Sequence, residues 1–222
     1  MRNAGFSIVE LLIASAVTMA VVGAVLAAVN PAQLMFRAQG DAADLHQRLR
    51  AAADTLSADV RAAVAVRPYR VGATRDDAAL GIYYRTDTLT VLGVPSAPLS
   101  LDTDASRTYY LKSGTAPGTF QLMQYDGSLS DLPMLEHVVR LSFDYFGPAT
   151  TGGPLVRLEP ATLVDGPWIE DAAHRMFDAD LVRVREVRAL LRLESTDPWL
   201  RRLVPDTEIV LHMAMRNISP VR

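Results

Sequence analysis

Residues 11–36 form a run of 26 positions without a single charge. A chain of 222 residues is enough for one ordinary domain plus an appendage. At about 1.5 Å per residue, residues 6–29 alone reach roughly 36 Å, enough to cross a bilayer core. A cleavable secretory signal has a shorter apolar core closed by a small-residue cleavage site. Here the run is longer and passes directly into more helix-compatible sequence.

Pro31 follows Asn30 at the end of residues 6–29. A proline inside a helix removes a backbone donor and kinks or breaks it, so a kink is expected there. Beyond it, Leu45, Leu49, Ala52, Leu56, Val60 and Ala63 recur at spacings of three and four, which draws one apolar stripe on an amphipathic helix. Asp41, Asp44, Arg48, Arg50, Asp54, Asp59 and Arg61 are assigned to its other faces. The expectation is one helix of nearly 60 residues, apolar all round in its first half and one-sided in its second.

Glu10 stands at the start of the uncharged run. Hydropathy alone places it at headgroup level, at one edge of a membrane span. Its context adds a second reading. The stretch Gly5-Phe6-Ser7-Ile8-Val9-Glu10-Leu11-Leu12-Ile13-Ala14 resembles the N-terminal signature of type IV pilins and type II secretion pseudopilins. That signature is a short basic leader ending in Gly, then Phe, then a glutamate at the fifth mature position ahead of an apolar helix. Arg2 supplies the leader's charge, Gly5 its end, Phe6 the new N-terminus and Glu10 the acid.

The resemblance implies cleavage after Gly5 by a prepilin peptidase on the cytoplasmic side and methylation of the freed Phe6 amine. It implies a single pass through the bacterial inner membrane with the C-terminal domain periplasmic, followed by entry into a filament. Glu10 then pairs with the N-terminal ammonium of a neighbouring subunit. Such pairing has a physical basis, because a lone carboxylate among apolar helices is costly until a countercharge meets it. The implied partners are the peptidase, other minor and major pilins or pseudopilins, and the inner membrane.

The remaining sequence reads as strands. Candidates are residues 80–85, 88–93, 107–112, 119–127, 137–147, 180–195 and 207–217. In 138–145 the expected alternation sets Val138, Arg140, Ser142 and Asp144 against an apolar face of Val139, Leu141, Phe143 and Tyr145. Strands with one apolar face and short turns make an antiparallel sheet, and the amphipathic half-helix is its natural cover. The fold class is therefore α+β, a long kinked N-terminal helix packed on an antiparallel sheet; the resemblance makes it pilin-like. The expected divisions are a leader at 1–5, a membrane and filament-core helix at 6–29, an amphipathic helix at 30–66 and a β-rich head at 67–222. Residues 94–106 and 147–179 read as long loops and candidate contact surfaces, the second with a short helix around 169–176.

Residues 176–195 with 204–217 resemble the closing strands of W-type minor pilins and J-type minor pseudopilins, and 44–63 resemble their helix. W-type relatives often carry cysteines, and this chain has none, which leans toward the J-type or a cysteine-free branch.

Other chemistries find no support. With 22 Lys and Arg against 25 Asp and Glu, and no basic run, nucleic acid is not an expected partner. The absence of cysteine excludes disulfides, thiolate zinc sites and Cys nucleophiles. His46, His137, His174 and His212 form no metal-ligand pair. Asp102, Asp104 and Ser106 alternate like a calcium loop but lack its glycine and closing glutamate. Asp178 and Asp180 read as a turn, and no nucleotide-binding or nucleophile-elbow motif occurs. The expected function is a non-catalytic minor pilin or pseudopilin at or near a filament tip, with no cofactor, metal or small-molecule substrate. The sequence leaves open which of the two machines it serves. The alternative is a single-pass membrane-tethered periplasmic enzyme or ligand-binding domain. A DNA-uptake pilin would need a basic patch.

Overall fold

The structure is a computed structural model that describes residues 7–68, 87–93, 106–114, 119–125, 131–150, 152–170 and 176–216. Helix α1 (Ile8–Ala62) has 55 residues, about 80 Å of rod. Ser7 caps it by accepting the Val9 N–H at 3.3 Å; Glu10 in the first turn and Arg61 in the last complement the helix dipole. The helix runs through Pro31 without interruption. It stops at Ala62, short of the boundary at 66 read from the sequence, because Ala63 turns extended and the chain enters β1 (Ala65–Arg67).

Eight strands make one antiparallel sheet. They are β1, β2 (Leu89–Leu92), β3 (Ser106–Ser113), β4 (Phe120–Tyr125), β5 (Asp131–Pro148), β6 (Leu155–Leu158), β9 (Glu186–Leu193) and β10 (Thr207–Ala214). The order is β1-β2-β3-β4-β5-β9-β10, with β6 added to β5. The 18-residue β5 joins two halves of the sheet: its first part pairs with β4, and residues from Val138 onward pair with β9. Since Val138 meets both β4 and β9, these lie on opposite edges. β6 pairs with the far end of β5 on the edge that β4 has left.

Both terminal strands of the sheet return to the same end of α1. β1 follows the helix directly, and the Arg216 N–H after β10 donates to the Arg61 carbonyl at 3.3 Å. The sheet therefore closes over the second half of α1. All six stripe residues read from the sequence, Leu45, Leu49, Ala52, Leu56, Val60 and Ala63, are buried in the core with Tyr109, Phe143, Tyr145 and Leu191. The statement of an α+β molecule, one long N-terminal helix packed on a large antiparallel sheet, holds.

Several local expectations are corrected. Val138 is buried and Val139 is not, the reverse of the alternation read from the sequence. A β-bulge explains it: His137 takes φ 57° and the β5–β9 register slips between Val138 and Arg140. Below the bulge the buried positions step by three, and from Leu141 they resume period two. Residues 180–195 are not one strand. Ala179–Arg183 form a 3-10 turn capped by Asp178, and β9 starts at Glu186. The span 147–179 is not one long loop, and of the helix read around 169–176, residues 169, 170 and 176 are strand while 171–175 lie outside the described residues. The span contains β6, a 3-10 turn at Pro160–Leu163, and strands β7 (Trp168–Glu170) and β8 (Met176–Asp178), which pair with each other. The expected strand at 80–85 and most of the loop at 94–106 lie outside the described residues.

Gly147 marks a close approach that no other residue would tolerate. A Cβ there would collide with the Arg183 carbonyl, where the Arg185 N–H donates to the Phe146 carbonyl at 2.8 Å.

Candidate functional site

The site is the half of α1 that the sheet does not reach. Every residue from 7 to 37 is exposed, with Leu11 66% and Leu12 62% accessible against 2% for Leu45. The helix is long and apolar enough to cross a membrane, and none of its apolar window is buried. Its hydroxyls are already satisfied. Ser15 donates to the Leu12 carbonyl at 2.9 Å and Thr18 to the Ala14 carbonyl at 2.8 Å. Such back-bonding removes most of the cost of carrying a hydroxyl into an apolar medium. An exposed apolar surface of this extent on a folded chain is an interaction surface.

Glu10 sits one turn from the start of this rod, exposed. Gly5 and Phe6 lie outside the described residues. Pro31 lies within the exposed part, three turns before the helix meets the sheet. It lacks the N–H that would bond the carbonyl of Ala27.

Where the rod enters the head, polar contacts lock it. Asp41 accepts from the Ser195 hydroxyl at 2.5 Å and the Thr196 hydroxyl at 3.1 Å, both just after β9. Near the other end, Asp59 is buried. Arg107 of β3 donates to both of its oxygens, at 2.7 and 2.8 Å, and the Tyr109 hydroxyl makes a short bond to one of them. Sequence reading placed Asp41 and Asp59 among the residues of the solvent faces. Helical spacing shows which residues share a face, but not that a distant strand brings an arginine to meet the acid.

Burial lifts the Tyr109 phenol far above its usual range; the hydrogen bond to Asp59 and the charge of that carboxylate add to the rise, and Arg107 opposes it. Tyr145 is raised well above the ordinary phenol value by burial first and the Asp144 charge second. Its hydroxyl faces the Thr88 carbonyl at 3.5 Å. These two phenols are held neutral inside the core.

The other described residues singled out from the sequence do not converge. His46 lines an open groove of about 920 Å³ between α1 and β10, with Arg50, Asp54 and Ile209. His137 holds the bulge, and His212 pairs with Glu186 at 2.9 Å. His174, Asp102 and Asp104 lie outside the described residues. Asp178 is buried and accepts from the N–H groups of Asp180 and Gly166 at 2.8 and 2.6 Å, a turn-capping role. Among the described residues no three His, Asp or Glu side chains group as a metal site. Compared with protein-family models, curated proteins and solved structures, the chain matches none of them.

Proposed function

We propose that this chain is a minor pilin or pseudopilin, a non-catalytic subunit cut after Gly5, methylated on Phe6, and drawn from the inner membrane into a filament at or near its tip. The observation that carries the reading is the bare apolar half of α1, headed by Ser7 and Glu10, on a head that covers only the other half. Among the described residues, nothing covers this half of the helix. In a membrane it meets lipid, and in a filament it meets the same helix of its neighbours. Exchange of one for the other costs little apolar contact, since both surroundings are equally free of water.

Glu10 supplies the register in this scheme. The ammonium of a neighbouring Phe6 neutralises it and fixes the axial offset between subunits. The partners are the prepilin peptidase and sister pilins, with the head engaging other minor subunits.

The rival is a membrane-tethered periplasmic enzyme or binding domain, and Glu10→Ala separates the two. In cells assembling filaments, the variant should enter them about tenfold less than the parent, the equivalent of losing roughly 1.4 kcal/mol at each contact. Its membrane level and head stability should stay unchanged. Equal incorporation of the variant would overturn the pairing role.

A further inference from the structure

We propose that the loop joining β9 to β10 is a foot on the membrane surface, with Trp199, Arg202 and Leu203 seated in the phospholipid headgroup layer of the leaflet from which α1 emerges. The inference rests on α1 being a membrane helix before assembly, and adds a second, peripheral contact to it.

The position of the loop follows from two anchor points. Its root, Ser195 and Thr196, is bonded to Asp41 at the start of the covered half of α1. The far end of β10 is bonded to Arg61, through the Arg216 N–H. From Asp41 to Arg61 is about 30 Å of helix, and from Thr207 to Arg216 is about 30 Å of strand. β10 therefore runs alongside α1 in the same direction, and the β9–β10 loop stands at the end of the head from which the bare rod departs.

The height of the loop above the bilayer follows from the rod. The uncharged run ends at Phe36, and Arg37 is the first charge after it; its roughly 39 Å of helix fits a core of roughly 30 Å when tilted by about 40°, which sets Glu10 and Arg37 at opposite headgroup layers. Asp41 is four residues on, about 6 Å along the axis. A headgroup layer occupies roughly that thickness on each side of the hydrocarbon core. The loop root is thus placed at its outer boundary.

The composition of the loop fits that layer. Trp199 is 87% exposed and Leu203 54%, an unusual pair to leave bare in water on a built turn. The turn is not loose. Leu200 and Val204 are buried in the core, and the N–H groups of Leu203 and Val204 both donate to the Leu200 carbonyl at 2.8 Å. Asp197 accepts the Trp199 N–H at 2.9 Å. Of the acids nearby, Glu194 pairs with Arg201 at 2.9 Å and Asp206 with Arg192 at 2.6 Å, Asp197 caps the turn, and Glu208 is exposed. Arg202, three residues after Trp199, is exposed, and Arg37 is exposed on the helix. Tryptophan prefers the headgroup level, and arginine near an anionic leaflet adds attraction.

The test uses the full chain with Trp168→Phe, so that Trp199 is the only tryptophan. It is reconstituted into phosphatidylcholine and phosphatidylglycerol vesicles. Insertion is checked by flotation, and emission is read with lipids brominated either next to the headgroup or near the terminal methyl. The expected result is flotation, with shallow bromine quenching Trp199 about twofold or more beyond deep bromine, as befits a headgroup-level indole. Flotation with Trp199 open to aqueous iodide and unquenched by either lipid would overturn the foot and leave the membrane helix standing. Shielding from iodide without lipid quenching would overturn it in favour of a protein neighbour, such as a second copy. Failure to float would remove the membrane helix and the foot together.

Discussion

Arg107 of β3 donates to both carboxylate oxygens of Asp59 of α1, at 2.7 and 2.8 Å, and this is the polar bolt between helix and sheet. Tyr109, two residues along the same strand, bonds the same carboxylate and is itself approached by the Gln124 amide at 3.4 Å. Asp59→Ala leaves a guanidinium and a buried hydroxyl facing a void. Removing one partner of such a pair costs roughly 3 kcal/mol, somewhat less here because Arg107 keeps partial access to water. Urea unfolding of the full chain in mild detergent, followed by circular dichroism, measures it. A loss below about 0.5 kcal/mol, the scale of an exposed pair, would contradict the role.

The two buried phenols set a pH limit. In the unfolded chain both ionise near pH 10, whereas in the fold burial keeps Tyr109 and Tyr145 protonated well beyond that. Below about pH 10 neither state loses a proton, and their contribution is fully present. Above it the unfolded chain gives up protons the folded chain retains, so stability falls as pH rises, by up to about 1.4 kcal/mol per unit for each tyrosine. Urea midpoints taken upward from neutral pH should bend down beyond about pH 10, and Tyr145→Phe should make that slope shallower.

The two halves of α1 predict opposite responses to the same substitution. Leu56→Ala opens a hole beneath the sheet and should cost about 3 kcal/mol of head stability. Leu12→Ala removes a side chain that touches nothing else in the chain's core and should cost under about 0.5 kcal/mol by the same assay. Its effect should appear in membrane retention or filament incorporation. An equal loss of head stability in both variants would show that the rod folds back on the head.

The helix and most strands were legible because their signal is local. The stripe from Leu45 to Ala63 repeats with helical period and is buried at all six positions. The strands at 88–93, 107–112 and 207–217 were found within a few residues, the last by its alternation. What escaped depends on contacts distant in sequence or on backbone geometry. The bulge at His137 inverts the faces of Val138 and Val139, and nothing in the spacing of valines announces a positive φ. Asp178 ends strand β8 and opens a 3-10 turn, so the apolar run through Leu181 and Val184 is buried by a turn as well as by β9. Asp59 lies 48 residues from Arg107, beyond any window of periodicity. Of the proposed site, the apolar rod and the place of Glu10 within it were readable from charge alone. The foot at Trp199 was not, since its position depends on β10 running beside α1.

The proposed function begins with cleavage of this chain by a prepilin peptidase. Co-expression of the full chain with such a peptidase, followed by intact-mass analysis of the membrane fraction, tests it directly. The expected mass shows loss of residues 1–5 and a mature chain that begins at Phe6 with one added methyl group. A bulky replacement at Gly5, such as Gly5→Leu, is expected to leave the chain whole. A parent chain that keeps Met1 through Gly5 beside a peptidase active on a known prepilin would contradict it.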